Sequence, residues 1–359
     1  MPDDLRDFVA APRIPARRRG GFCGIQVAAG RPWELLTMRR VVQLLPVVAI
    51  AVGAMLSTRT SASDGQSPFP FRSTASLVAL NVTVQDAQSR YVTGLQPADF
   101  AVYEDGVQQT VRFFESRSIP MDLIVLIDTS TSMDGQAAVV QTAARGLLHT
   151  LRPGDRGAVV NFDDRVVIRQ DLTSDKAALL SAVDATRGRG FTAMHTALYV
   201  ALKHFGAAVR TDGAVRRQAI VILSDGEDNA SLLSFEDVLA IARQTGVNIY
   251  TVRLKTGDED WRRDLQLPRG LTEADFQMKT LARETGALAF FPRAWQLQGV
   301  YGTIGEEVAS QYSIGYEPVN PRADGRFRRV TVRILTRTEL RARTRSGYSA
   351  EAVRVTGPR

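Results

Sequence analysis

Apolar and polar residues alternate with a period of two in two separate parts of the chain. In residues 76–118 the alternation runs through four apolar positions, Val78, Leu80, Val82 and Val84. In residues 311–350 it runs through three, Val330, Val332 and Ile334. A period of two is typical of half-buried antiparallel strands. We therefore predict an N-terminal β segment at 76–118 and a C-terminal β segment at 311–350.

Between these segments, in residues 119–310, continuous apolar runs alternate with helical spacing. The first run, 123–127, is unbroken, as expected for a strand buried on both faces of a parallel sheet. Further strands are predicted at 157–162, 166–170, 219–223, 247–252 and 287–291. Helices are predicted at 137–151, 175–186, 194–206, 235–245, 273–285 and 295–309. This order predicts an α/β domain with a doubly wound, mostly parallel central sheet and helices on both faces. One hypothesis is that the two β segments share a sheet or sandwich, with the α/β domain inserted between them.

The N-terminal region carries the pattern of an export signal. Met38-Arg39-Arg40 precedes an apolar run at 41–56, and small polar residues follow at 57–63. This order is that of a secretory signal. Two interpretations remain open: residues 38–63 are a cleaved signal peptide and 1–37 a spurious extension, or 1–37 are a cytoplasmic tail and 41–56 a signal anchor. Both predict that the chain after residue 64 is periplasmic, cell-surface or secreted. Residues 64–75 are predicted to be a linker and 351–359 a tail.

Charge is distributed unevenly along the 359 residues, whose formal net charge is +7. Residues 1–63 hold nine Arg against four acidic residues, and residues 322–359 hold 11 Arg against three. The part between them is acidic, with 25 basic and 31 acidic residues. The excess of basic residues therefore lies in the predicted export signal with its extension and in the last strands, which argues against a nucleic-acid-binding surface. The single cysteine, Cys23, precedes the signal, so we expect no disulfide in the exported part.

Oxygen-bearing side chains cluster where the predicted strands end. Asp128, Ser130 and Ser132 follow the first α/β strand, Asp225 follows another, and Thr192 precedes a helix between them. Ligands of open α/β sheets bind at the carboxyl ends of strands. Hydroxyl and carboxylate oxygens suit a hard cation such as Mg²⁺. An Asp and a Ser after a strand can also cap the next helix, so the motif at 128–132 alone does not distinguish a metal site from a helix cap.

The five residues together resemble the metal-ion-dependent adhesion site of von Willebrand factor A-type domains. The resemblance covers 120–310, and the flanking motifs at 102–107, 311–316 and 347–348 are similar to a bacterial group of exported proteins related to that family. It implies that Ser130, Ser132 and Thr192 are direct or near-direct ligands of Mg²⁺, with Mn²⁺ or Ca²⁺ as alternatives. It implies that Asp128 and Asp225 act through water and hydrogen bonds.

The resemblance further implies that a partner's Asp or Glu completes the coordination. Phe191 departs from the family pattern, which often has Gly there, and we expect it to narrow the approach to the metal. Glu227 and Asp228, beside Asp225, are expected to form a solvated rim. We predict a non-enzymatic, exported, protein-binding module with no nucleic-acid partner and no membrane contact except through an uncleaved anchor.

Three other functional classes remain open at this stage. One is a hydrolase or phosphoryl-transfer enzyme that uses the metal site. However, Ser130 stands where an aspartyl-phosphate phosphatase has a second Asp, and the motifs of serine hydrolases and P-loop enzymes are absent. The second is a structural envelope protein without a metal-dependent ligand. The third is a protein that binds an anionic polymer through the C-terminal arginines, which we otherwise expect to form a solvated strand face.

Overall fold

The computed structural model describes residues 77–116, 119–208, 216–254 and 272–350. The predicted extension at 1–37, the signal at 38–63, the linker at 64–75, Cys23 and the tail at 351–359 lie outside these ranges. In the described part of the chain, no helix is long and apolar enough to cross a membrane.

Fourteen strands and six α-helices are described. The strands are β1 (Val78–Gln85), β2 (Phe100–Glu104), β3 (Val107–Gln109), β4 (Val111–Glu115), β5 (Met121–Asp128), β6 (Arg156–Phe162), β7 (Val166–Thr173), β8 (Arg217–Ser224), β9 (Asn248–Arg253), β10 (Ala289–Phe290), β11 (Tyr312–Tyr316), β12 (Phe327–Ile334), β13 (Arg341–Arg343) and β14 (Gly347–Ser349). The helices are α1 (Ala137–His149), α2 (Lys176–Asp184), α3 (Met194–Ala208), α4 (Phe235–Thr245), α5 (Glu273–Glu284) and α6 (Leu297–Ser310).

The central sheet has the strand order β10-β9-β8-β5-β6-β7. All neighbouring pairs are parallel except β6 and β7. Strand β5 is buried at all eight of its positions. Its alternate residues pack into two separate cores: Leu123 and Val125 face α1, α2 and α6, whereas Ile124 and Leu126 face α3, α4 and α5. This two-sided burial explains the unbroken apolar run and confirms the predicted doubly wound α/β fold.

The strands before and after the α/β domain pair with each other. One sheet has the order β13-β1-β11-β4, and the other has the order β14-β12-β2-β3. In the first sheet Val78 pairs with Tyr316, and in the second Val102 pairs with Val332, both in antiparallel register. The alternating residues of both sheets share a single apolar core, including Leu80, Val82, Val330 and Val332. The result is a β sandwich whose chain is interrupted by the α/β domain.

Not all of the C-terminal arginines lie on a solvated strand face. Arg328 is only 3% exposed, and its Nη1 donates to Glu104 Oε1 at 3.2 Å inside the sandwich. The other oxygen of Glu104 accepts hydrogen bonds from the hydroxyls of Tyr316 and Tyr348. Arg328 lies on the buried face of β12, where Glu104 requires a cationic partner, whereas the alternating Arg329, Arg333 and Arg341 are exposed as expected. The expected solvated stripe is wrong at Arg343, whose Nη2 lies 2.7 Å from Oε2 of the buried Glu307.

Candidate metal centre

Asp128 is fixed at the carboxyl end of β5 by hydrogen bonds to both carboxylate oxygens. Its Oδ1 accepts from the backbone N–H of Ser130 at 2.9 Å. Its Oδ2 accepts from the hydroxyl of Ser224, the last residue of the neighbouring strand β8, at 2.5 Å. The side chain is 2% exposed. The parallel pairing of β5 with β8 thus gives Asp128 one defined orientation at the edge of the sheet.

Ser130 and Ser132 present two hydroxyls side by side, with their Oγ atoms 3.1 Å apart. Ser130 is the N-cap of a 3₁₀ helix at Thr131–Gln136, yet its side chain makes no capping hydrogen bond. The interpretation of Ser130 as a helix cap is therefore not supported by its contacts. Ser130 is buried and Ser132 is exposed, so the hydroxyl pair reaches from the protein interior to the surface.

Thr192 lies in the loop before α3 and is 3% exposed. Its N–H donates to the side chain of Asn229 at 2.8 Å, and its carbonyl accepts from the N–H groups of Asn229 and Ala230. These bonds tie the Thr192 loop to the loop that follows β8. The Thr192 hydroxyl has no hydrogen-bond partner among the described residues. The Thr192 oxygen is therefore available to bind a ligand at this edge of the sheet.

Asp225 directly follows β8 and is 5% exposed. Its Oδ1 accepts from the N–H of Glu227 at 3.2 Å, and its backbone carbonyl accepts from Arg253 Nε at the end of β9. Arg253 also forms a buried ion pair with Asp275 of α5, at 2.8 Å. Arg253 therefore holds the Asp225 loop in place through the backbone carbonyl of Asp225.

In the described ranges, no Lys, Arg or His forms an ion pair with the carboxylate of Asp128 or Asp225, although Arg253 contacts the Asp225 backbone. The pKa of Asp128 is raised to about 6, mainly by burial and to a smaller extent by the charge of Asp225, while hydrogen bonds from Ser130 and Ser224 oppose the rise. Two buried acids, a hydroxyl pair and an unpartnered threonine hydroxyl form a donor set that fits a hard divalent cation.

The five predicted residues lie in three loops at one edge of the sheet, at the carboxyl ends of β5 and β8. The structure adds Ser224, which sequence reasoning missed because its role depends on the pairing of β8 with β5. It also corrects Asp228, which is not a solvated rim residue. Asp228 is bonded to the backbone N–H of His195 and to the side chain of Ser231, whereas Glu227 is exposed as expected. Within the described ranges, no group of three His, Cys, Asp or Glu residues is placed to hold a metal ion.

Part of the chain is similar to known proteins. Residues 122–284 match the sequence model of the von Willebrand factor type A domain. The uncharacterized protein sll0103 of Synechocystis sp. (strain ATCC 27184 / PCC 6803 / Kazusa) is 34% identical over 115 residues. That alignment covers 31% of this chain and 26% of the relative, so the chain spans about a quarter of the relative's length.

Solved structures with related folds include a von Willebrand factor type A protein from Catenulispora acidiphila. It has a TM-score of 0.46 and 14% identity, and the alignment covers 67% of this chain and 72% of that one. Another is proximal thread matrix protein 1 from the mussel byssus, solved with zinc in its metal-ion-dependent adhesion site (MIDAS) motif. It has a TM-score of 0.45 and 17% identity, and the alignment covers 57% of this chain and 49% of that one. The family match runs from the start of β5 to the end of α5 and leaves out the β sandwich.

Proposed function

We propose that the von Willebrand factor type A domain of this chain, at residues 122–284, binds a divalent cation through Asp128, Ser130, Ser132, Thr192 and Asp225, and uses it to hold an acidic residue of a protein partner. Domains of this type are generally non-catalytic interaction modules. A bound cation would supply a positive charge, which these residues would hold at the edge of the sheet.

The observation that carries the proposal is the hydroxyl-rich composition of the site. Ser130, Ser132 and Thr192 are neutral, and the carboxylates of Asp128 and Asp225 are already engaged by Ser130, Ser224 and Glu227. A cation held mainly by neutral hydroxyls keeps most of its charge, so it attracts an external carboxylate. Ser132 is exposed, which gives the partner access. Mg²⁺ is the proposed ion, with Mn²⁺ and Ca²⁺ as alternatives.

An enzymatic role has less support. His195 is the histidine nearest the site in sequence, and it is 6% exposed. Its Nδ1 lies 3.3 Å from the carbonyl oxygen of Leu233 and 3.5 Å from Asp228 Oδ2, and its Nε2 lies 3.2 Å from Gln277 Oε1, so other protein groups surround the ring. A general base must reach the proton that it removes, and His195 is not free to do so. The proposed location, outside the cytoplasm, rests on the export signal at 38–63.

The test is metal-dependent binding of acidic peptides by the full chain. We expect a fluorescent Gly/Ser-rich peptide with one central Asp to bind in Mg²⁺ and to be released by EDTA, because the carboxylate binds through the metal. The same peptide with Asn should not bind. Asp128→Asn should abolish binding, because it removes a buried charge that orients Ser130. Fluorescence anisotropy measures all of these affinities.

Two controls separate loss of the site from loss of the fold. Asp324→Asn changes an exposed residue of the C-terminal β segment and should bind like the parent protein. Thermal unfolding checks that the Asp128→Asn protein is folded. If that protein is unfolded, Ser132→Ala takes its place in the binding test, because Ser132 is exposed. Binding that persists in EDTA, or in a folded Asp128→Asn protein, would contradict the proposal.

A further inference from the structure

The loop at residues 187–192, here called the arginine loop, borders the hydroxyl pair directly. Within it, the N–H of Gly190 donates to Thr131 Oγ1 at 3.0 Å. In return, the N–H of Thr131 donates to the Gly190 carbonyl at 3.2 Å. Thr131 lies between Ser130 and Ser132, so these two bonds place the loop beside the proposed cation. The loop therefore borders the place where a partner segment longer than one residue would lie.

Close packing fixes the position of the arginine loop. A Cβ atom at Gly188 would lie 2.2 Å from Thr129 Oγ1 and 2.6 Å from Asp163 Oδ2. The loop therefore sits against the ends of β5 and β6 with no space for a side chain at residue 188. Gly190 has a φ of +119°, a conformation that other residues rarely adopt. Two glycines thus hold Arg189 between two constrained backbone positions.

The guanidinium groups of this loop lack acidic partners. Arg189 is exposed, and its side chain makes no hydrogen bond or ion pair with any described residue. Arg187 donates only to the backbone carbonyls of Asp184 and Thr186.

The carboxylates that border the loop have other roles. Asp163 accepts backbone N–H groups of Arg165 and Arg189, and Asp164 lies 3.6 Å from Arg165. The Arg189 guanidinium therefore forms no ion pair within the described part of the chain. This charge lies on the rim of a site that we propose to bind an acidic residue.

We infer that the partner segment carries two carboxylates, of which one completes the metal coordination and the other binds the Arg189 guanidinium. This inference rests on the proposed function. Arginine binds carboxylates through two parallel N–H···O bonds, which gives geometric selectivity as well as attraction. Phe191, which is 67% exposed between Arg189 and Thr192, offers an apolar contact to the residues that separate the two acids. The occupant is thus a diacidic peptide segment with an apolar residue between its acids.

The experiment compares peptides with one Asp and peptides with two, using the full chain in Mg²⁺. The probes are fluorescent Gly/Ser-rich peptides with a second Asp two, three or four positions from the first and one Leu between them. A matched peptide has Asn at the second position. We expect the best diacidic peptide to bind about fivefold more tightly than its Asn counterpart, the magnitude of a partly exposed ion pair. Arg189→Ala should remove that gain and leave binding of the single-Asp peptide unchanged, while Arg189→Lys should keep only part of it.

Arg341→Ala is the control, because Arg341 is an exposed arginine on β13, in the C-terminal β segment. The inference is wrong if Arg341→Ala removes the tighter binding of the diacidic peptide to the same extent as Arg189→Ala. It is also wrong if that tighter binding survives in Arg189→Ala. In both cases the proposed function stands. If no second Asp improves binding at any spacing, the inference is also wrong. If even the single-Asp peptide fails to bind in a metal-dependent manner, the proposed function fails and the inference fails with it.

Discussion

Ser130 and Ser132 show how far single residues could be predicted from the sequence. Their spacing after the β5 strand indicated that their hydroxyls lie together, and the structure places the two Oγ atoms 3.1 Å apart. Ser224 could not be predicted, because its bond to Asp128 depends on the register between two strands that are 96 residues apart. The unpartnered hydroxyl of Thr192 depends in the same way on contacts with a distant loop. Local patterns therefore indicate the donor types, and tertiary pairing decides which donors meet.

Gly188 gives a prediction at the residue scale. Gly188→Ala should destabilise the protein by about 1–3 kcal/mol, because the new methyl group would overlap with Thr129 and Asp163. It should also weaken metal-dependent peptide binding, since Thr129 lies next to Asp128. Chemical denaturation measures the first effect and fluorescence anisotropy the second.

Gly206→Ala is the matched control for Gly188→Ala. Gly206 lies in α3, and no atom lies within 4 Å of its added Cβ. This change should leave stability unaltered or raise it by up to about 1 kcal/mol, owing to the higher helix propensity of Ala. Equal effects of the two substitutions would mean that the arginine loop is not held by close packing at residue 188.

Whole elements were easier to predict than their boundaries. The unbroken apolar run at 123–127 allowed β5 to be predicted, because both faces of that strand are buried in apolar cores. By contrast, the turn after β5 is a 3₁₀ helix at Thr131–Gln136 that precedes α1, and β10 covers only Ala289–Phe290 of the strand predicted at 287–291, whereas α3 begins at Met194 as predicted. Thr192 stays outside the helix because both its N–H and its carbonyl bond to the loop after β8. Such cross-loop bonds leave no periodic signal in the sequence.

At the scale of the whole molecule, a buried polar group connects the α/β domain with the β sandwich. Glu307 of α6 is fully buried, and it accepts the hydroxyl of Tyr250 at 2.8 Å and the hydroxyl of Tyr91 at 3.1 Å. Its Oε2 also lies 2.7 Å from Nη2 of Arg343 in β13. The period-two pattern predicted the strands of the sandwich and their buried faces. It left open which strands pair, because alternation identifies a buried face and not a neighbour.

Glu307→Gln should destabilise the protein by about 3 kcal/mol, because it breaks a buried ion pair. This value is the lower end of the range for such pairs, since Arg343 is partly exposed. The variant leaves Arg343 without its anionic partner and keeps the shape of the side chain. Glu306→Gln, on the exposed side of the same helix, should change the stability little. Denaturant unfolding of the two variants measures the difference. A Glu307→Gln protein as stable as Glu306→Gln would show that this junction contributes little to the stability of the fold.

The most direct test of the central claim is a calorimetric titration of the full chain with Mn²⁺, comparing the parent protein with Ser132→Ala. Ser132 is exposed, so its substitution should preserve the fold, and Ser181→Ala, at an exposed position of α2, is the matched control. The account predicts one Mn²⁺ per chain in the parent protein and in Ser181→Ala, and an affinity lowered about tenfold or more in Ser132→Ala. A parent protein that binds no Mn²⁺, or a Ser132→Ala protein that binds it with unchanged affinity, would contradict the assignment of a metal centre to this edge of the sheet.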